Sequence, residues 1–217
     1  MTPIRIFVKR CIDIFLSIFI LILISPLLII MAIAVKLESK GAVFYLQERI
    51  GRGGKPFTIY KFRTMVVDAE KKGLGYELVK GDSRITKVGE FLRRWSIDEF
   101  PQLINVLKGD MSLVGPRPTL GYQVEQYDDF QRRRLEVKPG MTGLATVMGR
   151  NLLTWNERIE YDVQYIDNYS IILDFKIMLW TFSAIFRGTG VYANNTDVFK
   201  IKPSGKTEKG KQETGDG

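Results

Sequence analysis

Histidine is missing from all 217 residues, and cysteine occurs once, at Cys11. Any general base, nucleophile or metal ligand must therefore come from Asp, Glu, Lys, Tyr, Ser or that one thiol. Such residues offer hard oxygen donors, which favour Mg²⁺ or Mn²⁺ over zinc. An internal disulfide is excluded, and nothing in the cysteine usage speaks against a reducing cytosol. Cys11 borders an apolar run and reads as a packing residue. An acidic excess is also missing: 32 Lys and Arg stand against 24 Asp and Glu, a net charge of +8. That balance suits a phosphorylated ligand, an anionic membrane surface or nucleic acid, and charge alone does not choose. No internal repeat is present, and the length suits one ordinary domain rather than two large ones.

What the chain does have is an uncharged run of 22 residues, Ile14 to Val35. As a helix it would be about 33 Å long, enough to cross a hydrocarbon core of about 30 Å. A cleaved signal peptide fits less well, because the run exceeds the usual apolar region and no small-x-small site follows. Arg5, Lys9 and Arg10 flank one end while Lys36, Lys40, Arg49 and Arg52 flank the other. The positive-inside rule therefore pulls both ends to the cytosol. Ser25-Pro26 lies at the midpoint, where proline removes a helical hydrogen bond and the serine hydroxyl can serve a freed carbonyl. Two arrangements satisfy the run, a re-entrant helix-break-helix and an ordinary kinked spanning helix. Asp13, at the mouth of the run, needs a partner; Arg10 or a residue of the soluble part can supply it.

Residues 42–65 alternate loosely between aromatic and polar positions around the turn GRGGKP, which predicts a β-hairpin. Lys61 and Arg63 fall opposite Tyr60 and Phe62, either as a solvated strand face or as phosphate contacts. The polar, Gly-interrupted stretch 67–79 reads as a helical turn plus a mobile loop. Val88, Phe91, Leu92 and Trp95 then recur at helical spacing and deliver Arg93 and Arg94 to the next segment.

That segment, SIDEFPQLINVLKGDMSLVGPRP, opens on the adjacent carboxylates Asp98 and Glu99. Phe100, Leu103, Ile104 and Leu107 have helical spacing, Pro101 is tolerated in a first turn, and Gly109 is a stop signal. The pattern predicts a helix over about 99–108 with Asp98 as N-cap. Its amino end and the acid pair face one place, where a metal-bridged phosphate can sit, although capping alone also explains the acids. Arg117 lies between two prolines, which hold the backbone extended and present the guanidinium from a stiff loop.

Residues 121–135 read as a solvated helix ending in the basic cluster Arg132 to Arg134. VKPGMTGLATVMGRN combines turn formers with a short strand and ends on Arg150 and Asn151. Ile159, Val163 and Ile166 form a helical stripe near Asp162, and residues 171–186 suit an amphipathic helix on a membrane face. Beyond Lys200 the tail lacks periodicity, so disorder is the expectation.

The motifs IYKFRTM, DEFPQLINVLKGDMSLVGPRP, KPGMTGLA and GRN, in this order behind the N-terminal apolar segment, resemble the bacterial sugar transferase family of small monotopic phosphoglycosyl transferases. The likeness runs from Lys9-Arg10 to about Lys176. It implies an α+β fold, mostly helical with a small β-hairpin, and a re-entrant membrane helix broken at Ser25-Pro26. The implied organisation is a membrane helix-break-helix (1–38), a cytosolic catalytic domain (39–200) and a disordered tail (201–217). The implied reaction moves a sugar-1-phosphate from a UDP-sugar to undecaprenyl phosphate with release of UMP, dependent on Mg²⁺, at the cytosolic face of the bacterial inner membrane. By matching motif, Asp98 corresponds to the nucleophile and Glu99 to its partner, both near the metal. Lys61, Arg93, Arg117, Arg150 and Asp162 correspond to substrate-binding positions. The resemblance brings in no nucleic acid, and it is compatible with a homodimer and with downstream glycosyltransferases as partners.

Overall fold

One helix, α1 (Pro3–Glu38), takes up the whole N-terminal apolar segment in the computed structural model, which describes residues 2–69, 81–187 and 200–201. It is long and apolar enough to cross a membrane. The expected hairpin follows: β1 (Phe44–Ile50) pairs antiparallel with β2 (Pro56–Phe62), with Tyr45 opposite Lys61 and Arg49 opposite Phe57. Then come α2 (Lys87–Arg94), a 3₁₀ turn (Ile97–Gln102), α3 (Leu103–Lys108) and β3 (Ser112–Val114). Two short helices, α4 (Gly121–Val124) and α5 (Asp129–Arg132), precede β4 (Gly140–Thr142), which pairs parallel with β3. The chain closes with α6 (Leu144–Met148), α7 (Trp155–Asp167) and α8 (Ile171–Arg187). The fold is thus α+β, mostly helical with small sheets.

Helix α1 lies along the domain and packs on it with one stripe. Leu16, Ile20, Leu21 and Ile24 cover a core made by Ile59, Leu103, Val106, Leu113, Val114, Tyr165 and Ile177. Further along, Leu28, Met31, Ala32 and Val35 meet Phe62, Leu92 and Ile97. Both ends are fastened by polar contacts. At the first, Lys9 pairs with Asp174 of α8 at 2.6 Å, Arg10 donates to the carbonyls of Val106 and Leu107, and Asp13 accepts from the Leu113 amide at 3.1 Å. At the second, Arg63 donates to the carbonyls of Val35, Ser39 and Lys40, and the Glu38 carboxylate accepts from the Val88 amide. The outer face is left apolar and exposed at Phe15, Ile18, Phe19, Ile22 and Ile30, and α8 adds Phe175, Leu179 and Phe182.

Several expectations are corrected. The helix is not broken at Ser25-Pro26: α1 is one helix with Pro26 inside it. Proline cannot serve the carbonyl four residues back, Ile22 O, but Ser25 Oγ donates to that carbonyl at 2.9 Å and keeps it satisfied. Cys11 is exposed rather than packed. Arg63 is neither solvated nor a phosphate contact; it is buried as the cap of α1's last carbonyls. Residues 121–135 are not one solvated helix but a series of single turns, and Arg134 in its basic cluster is buried. The short strand expected in VKPGMTGLATVMGRN is present as β4, and LATVM after it is helical. Of the stretch 67–79, expected as a helical turn plus a loop, residues 70–79 lie outside the described residues, as does most of the tail.

Candidate active site

Helix α2 brings the chain to the acid pair. Thr86 caps it, its hydroxyl accepting from the Gly89 amide at 3.0 Å. Gly89 is required by a close approach: a Cβ there would lie 2.0 Å from the Thr64 carbonyl oxygen. This contact lays α2 against the exit of β2, and Arg93 Nε donates to Thr64 Oγ1 at 2.8 Å. Arg94 points elsewhere, donating to the carbonyls of Ile185 and Phe186 at the end of α8.

After α2 the chain reverses through Ser96, whose backbone is left-handed with φ 57°. The next residues do not continue as an α-helix capped by Asp98. They form the 3₁₀ turn Ile97–Gln102, with Glu99 N bonded to Ser96 O, and α3 starts only at Leu103. The tighter turn accommodates Pro101, and it carries Asp98 and Glu99 in its first turn rather than at a cap. Gly109 ends α3 in the left-handed region, as its place in the sequence predicts.

The two carboxylates have opposite surroundings. Glu99 Oε1 accepts from Lys61 Nζ at 3.1 Å and from Arg117 Nη2 at 2.5 Å, and Oε2 accepts from Arg117 Nη1 at 3.4 Å. Asp98 is 8% exposed and accepts no side-chain hydrogen bond among the described residues. Burial alone raises the Glu99 pKa, but the Arg117 and Lys61 charges and hydrogen bonds outweigh it and hold the carboxyl far below the usual range. Burial also raises Asp98, and the adjacent Glu99 charge adds to it; Lys61, Arg93 and Arg117 pull the other way without cancelling the rise. Burial lowers the Lys61 ammonium despite Glu99, whereas the Glu99 charge raises Arg117.

Two further cations stand at the rim. Arg150, itself left-handed with φ 52°, donates through Nη2 to Ser96 Oγ at 2.9 Å, and its Nη1 is buried with no hydrogen-bond partner. Arg49 is bound to Gln47 Oε1, and burial followed by the charge of Arg117 lowers it to about 10. Lys61, Arg93, Arg117, Arg150 and Arg49 against Asp98 and Glu99 leave the cleft with surplus positive charge, suited to a polyanion.

The structure thus brings Lys61, Arg93, Arg117 and Arg150 to the acid pair. Asp162, expected with them, is 2% exposed and lies beneath the Arg117 loop, where it binds Arg134 Nη2 at 2.6 Å. Burial pushes its carboxyl up to about 6, with Arg134 opposing. Sequence reasoning missed Ser96, Thr64 and Arg134. Ser96, two residues before the acids, takes a left-handed backbone that its place in the sequence does not announce, and Arg134, inside a run of three arginines, gave no signal either.

The family model for bacterial sugar transferases matches residues 4–188. The uncharacterized sugar transferase EpsL of Bacillus subtilis strain 168 is 45% identical over 187 residues, covering 86% of this chain and 91% of that protein. The UDP-glucose:undecaprenyl-phosphate glucose-1-phosphate transferase of Klebsiella pneumoniae is 47% identical over 188 residues, 83% of this chain but 40% of that protein. An Aeromonas hydrophila UDP-N-acetylgalactosamine-undecaprenyl-phosphate N-acetylgalactosaminephosphotransferase is 42% identical over 195 residues, 87% of this chain and 46% of that one. The chain therefore spans nearly all of the first relative and less than half of the other two. With a match over most of its length and the acid pair held in a cationic cleft beside an apolar helix, the chain belongs to the bacterial sugar transferase family.

Proposed function

We propose that the protein transfers a sugar-1-phosphate from a UDP-sugar to undecaprenyl phosphate through a covalent intermediate on Asp98, releasing UMP. The observation that carries this reading is the asymmetry of the acid pair: Glu99 is locked by Lys61 and Arg117, while the buried Asp98 keeps its oxygens free. The activities for which the Klebsiella and Aeromonas relatives are named support the same substrate pair.

In the first step an Asp98 carboxylate oxygen attacks the sugar-bearing phosphorus. The Asp98 O–P bond forms, the phosphoanhydride bond breaks, and UMP leaves with the bond's electron pair. In the second step an oxygen of undecaprenyl phosphate attacks the same phosphorus, the Asp98 O–P bond breaks, and the carboxylate is regenerated. Arg117, Arg150, Arg93 and Lys61 offset the repulsion between carboxylate and diphosphate and hold the phosphoryl oxygens. Locking Glu99 leaves it charged beside Asp98, so it orients the cations and does not compete for phosphorus.

Among the described residues, no group of three or more His, Cys, Asp or Glu side chains is placed to hold a metal. An acid pair suits Mg²⁺, which commonly takes one or two carboxylates and completes its shell with substrate phosphates and water. Asp98, free of hydrogen bonds, and Glu99 beside it would hold the ion. When bound it supplies positive charge against the diphosphate and the leaving UMP oxygen.

The acceptor phosphate lies at headgroup level, so the cleft must sit near the bilayer surface. The exposed apolar faces of α1 and α8 support such a seat. The fastening of both ends of the unbroken α1 to one domain supports a monotopic placement on the cytosolic face of the inner membrane.

The test is nucleotide analysis with purified protein, Mg²⁺, undecaprenyl phosphate and a panel of UDP-sugars. UMP release by the wild type, and a phosphosugar adduct that maps to Asp98, are expected. UDP as the nucleotide product would overturn the reading.

A further inference from the structure

We infer that Arg134 is a positioning residue for this transfer: it holds the backbone of the Pro116-Arg117-Pro118 loop and thereby aims Arg117 at Glu99. The inference rests on the reading of the acid pair given above. Arg134 is 3% exposed and has no path to a substrate in the cleft except through its neighbours. Its Nη2 makes two hydrogen bonds, one to Asp162 Oδ2 at 2.6 Å and one to the Arg117 carbonyl oxygen at 3.0 Å. Its Nη1 donates to the Tyr127 hydroxyl at 2.8 Å. The guanidinium also lies over the rings of Tyr127 and Trp155, 5.7 and 5.4 Å from their centroids.

The loop has few other handles. Pro116 and Pro118 carry no backbone N–H, so the loop is held largely through its carbonyls. Pro116 O accepts from the Gly140 amide and Thr119 O from the Ile50 amide, both at 2.8 Å. Pro118 O receives a longer contact from Arg49 Nη1 at 3.4 Å. The carbonyl of Arg117 itself depends on Arg134. The Arg117 side chain is about half exposed and its guanidinium is held by Glu99, so the placing of its backbone decides whether it reaches that carboxylate.

A buried ion pair is a poor way to gain stability, since apolar residues of similar volume commonly do as well. What apolar residues cannot do is donate to the Arg117 carbonyl. The planar fork of arginine reaches Asp162, Tyr127 and that carbonyl together, whereas a lysine ammonium is a point donor on a flexible stem. Asp162 then acts at a distance, by fixing Arg134 rather than by touching substrate.

The test is a double-mutant cycle on the full chain in lipid nanodiscs, read as UMP release from a UDP-sugar with undecaprenyl phosphate. Arg134→Lys should lower kcat on the order of 10- to 100-fold, the effect of misplacing a catalytic group by about an ångström. In an Arg117→Gln background the same change should cost less than about twofold, because the positioned group is already gone. The split of the loss between kcat and KM for the UDP-sugar should be the same in Arg134→Lys as in Arg117→Gln, since both take the aimed guanidinium away from Glu99. Tyr127→Phe keeps the ring, removes one anchor, and should show a smaller loss with the same dependence on Arg117. If Arg134→Lys does not fold, the Tyr127→Phe cycle decides in its place. Losses that multiply in the double variants, or a kcat-against-KM split unlike that of Arg117→Gln, would overturn the role of Arg134 while leaving the reaction intact. No UMP from the wild type would remove the proposed reaction, and this role with it.

Discussion

Arg150 Nη2 donates to Ser96 Oγ at 2.9 Å, and both residues hold left-handed backbones that non-glycine residues rarely adopt. Each is costly alone, by about 1–3 kcal/mol, and such strain persists where surrounding contacts over-determine it. Here the two strained turns bind each other, one just before Asp98 and the other carrying a cation to the cleft. Ser96→Ala keeps the strained φ and loses the acceptor, whereas Ser96→Gly loses the acceptor and relieves the φ. The glycine variant should therefore be more stable than the alanine variant by about 1 kcal/mol, measured by denaturant or thermal unfolding. Both should lose activity to a similar degree, because Arg150 loses its anchor in each.

Asp98→Asn should abolish UMP release and the trapped adduct while leaving membrane association and the melting temperature near those of the wild type. The substitution is isosteric, and among the described residues Asp98 accepts no side-chain hydrogen bond whose loss would unfold the site. Detergent partitioning, thermal melts and mass spectrometry of the quenched protein check the three parts separately. Turnover at wild-type rates would exclude Asp98 as nucleophile.

The pH dependence has a definite sign. Asp98 must be ionised to attack, and its pKa is raised by burial and then by Glu99, so the acid limb of the rate should lie above the usual aspartate range. Removing the like charge in Glu99→Gln should move that limb to lower pH. Removing a cation in Lys61→Met should move it to higher pH. Profiles of kcat/KM for the three proteins test this pair of opposite shifts; movement in the same direction would contradict the electrostatics of the pair.

Ser25→Ala should destabilise α1 without touching the cleft. It leaves Ile22 O without the donor that replaces the missing Pro26 amide. A carbonyl unpaired in lipid costs on the order of 1–3 kcal/mol. The melting temperature in nanodiscs should fall, and Pro26→Ala in the same chain should restore it by returning the amide donor.

The hairpin, α7, α8 and the long apolar helix were all legible from period and length, because each buries one regular stripe. The acid pair was legible as well, since adjacent carboxylates before an apolar run stand out in a histidine-free chain. Their local geometry was not. Pro101 allows a first turn of either helix type, and only packing against β2 chose the 3₁₀ turn. Arg63, Arg94 and Arg134 share one cause of error. A sequence marks arginine as polar, whereas here all three turn inward to serve carbonyls, a choice fixed by contacts between residues far apart in the chain. The same holds for Ser25-Pro26, where one hydroxyl decides between a break and a continuous helix.

The salt bridge between Lys9 and Asp174 joins residues 165 positions apart. The segment that forms α1 is thus fastened only after a further 165 residues have been made. Until α8 emerges, α1 has no anchor for Lys9, and the core beneath Leu16, Ile20 and Ile24 waits for Tyr165 and Ile177. Nascent chains must therefore shelter a bare greasy helix until α8 has been made. Insertion into lipid and maturation of the domain become a single coupled event, and a version lacking its first 38 residues should be found in inclusion bodies.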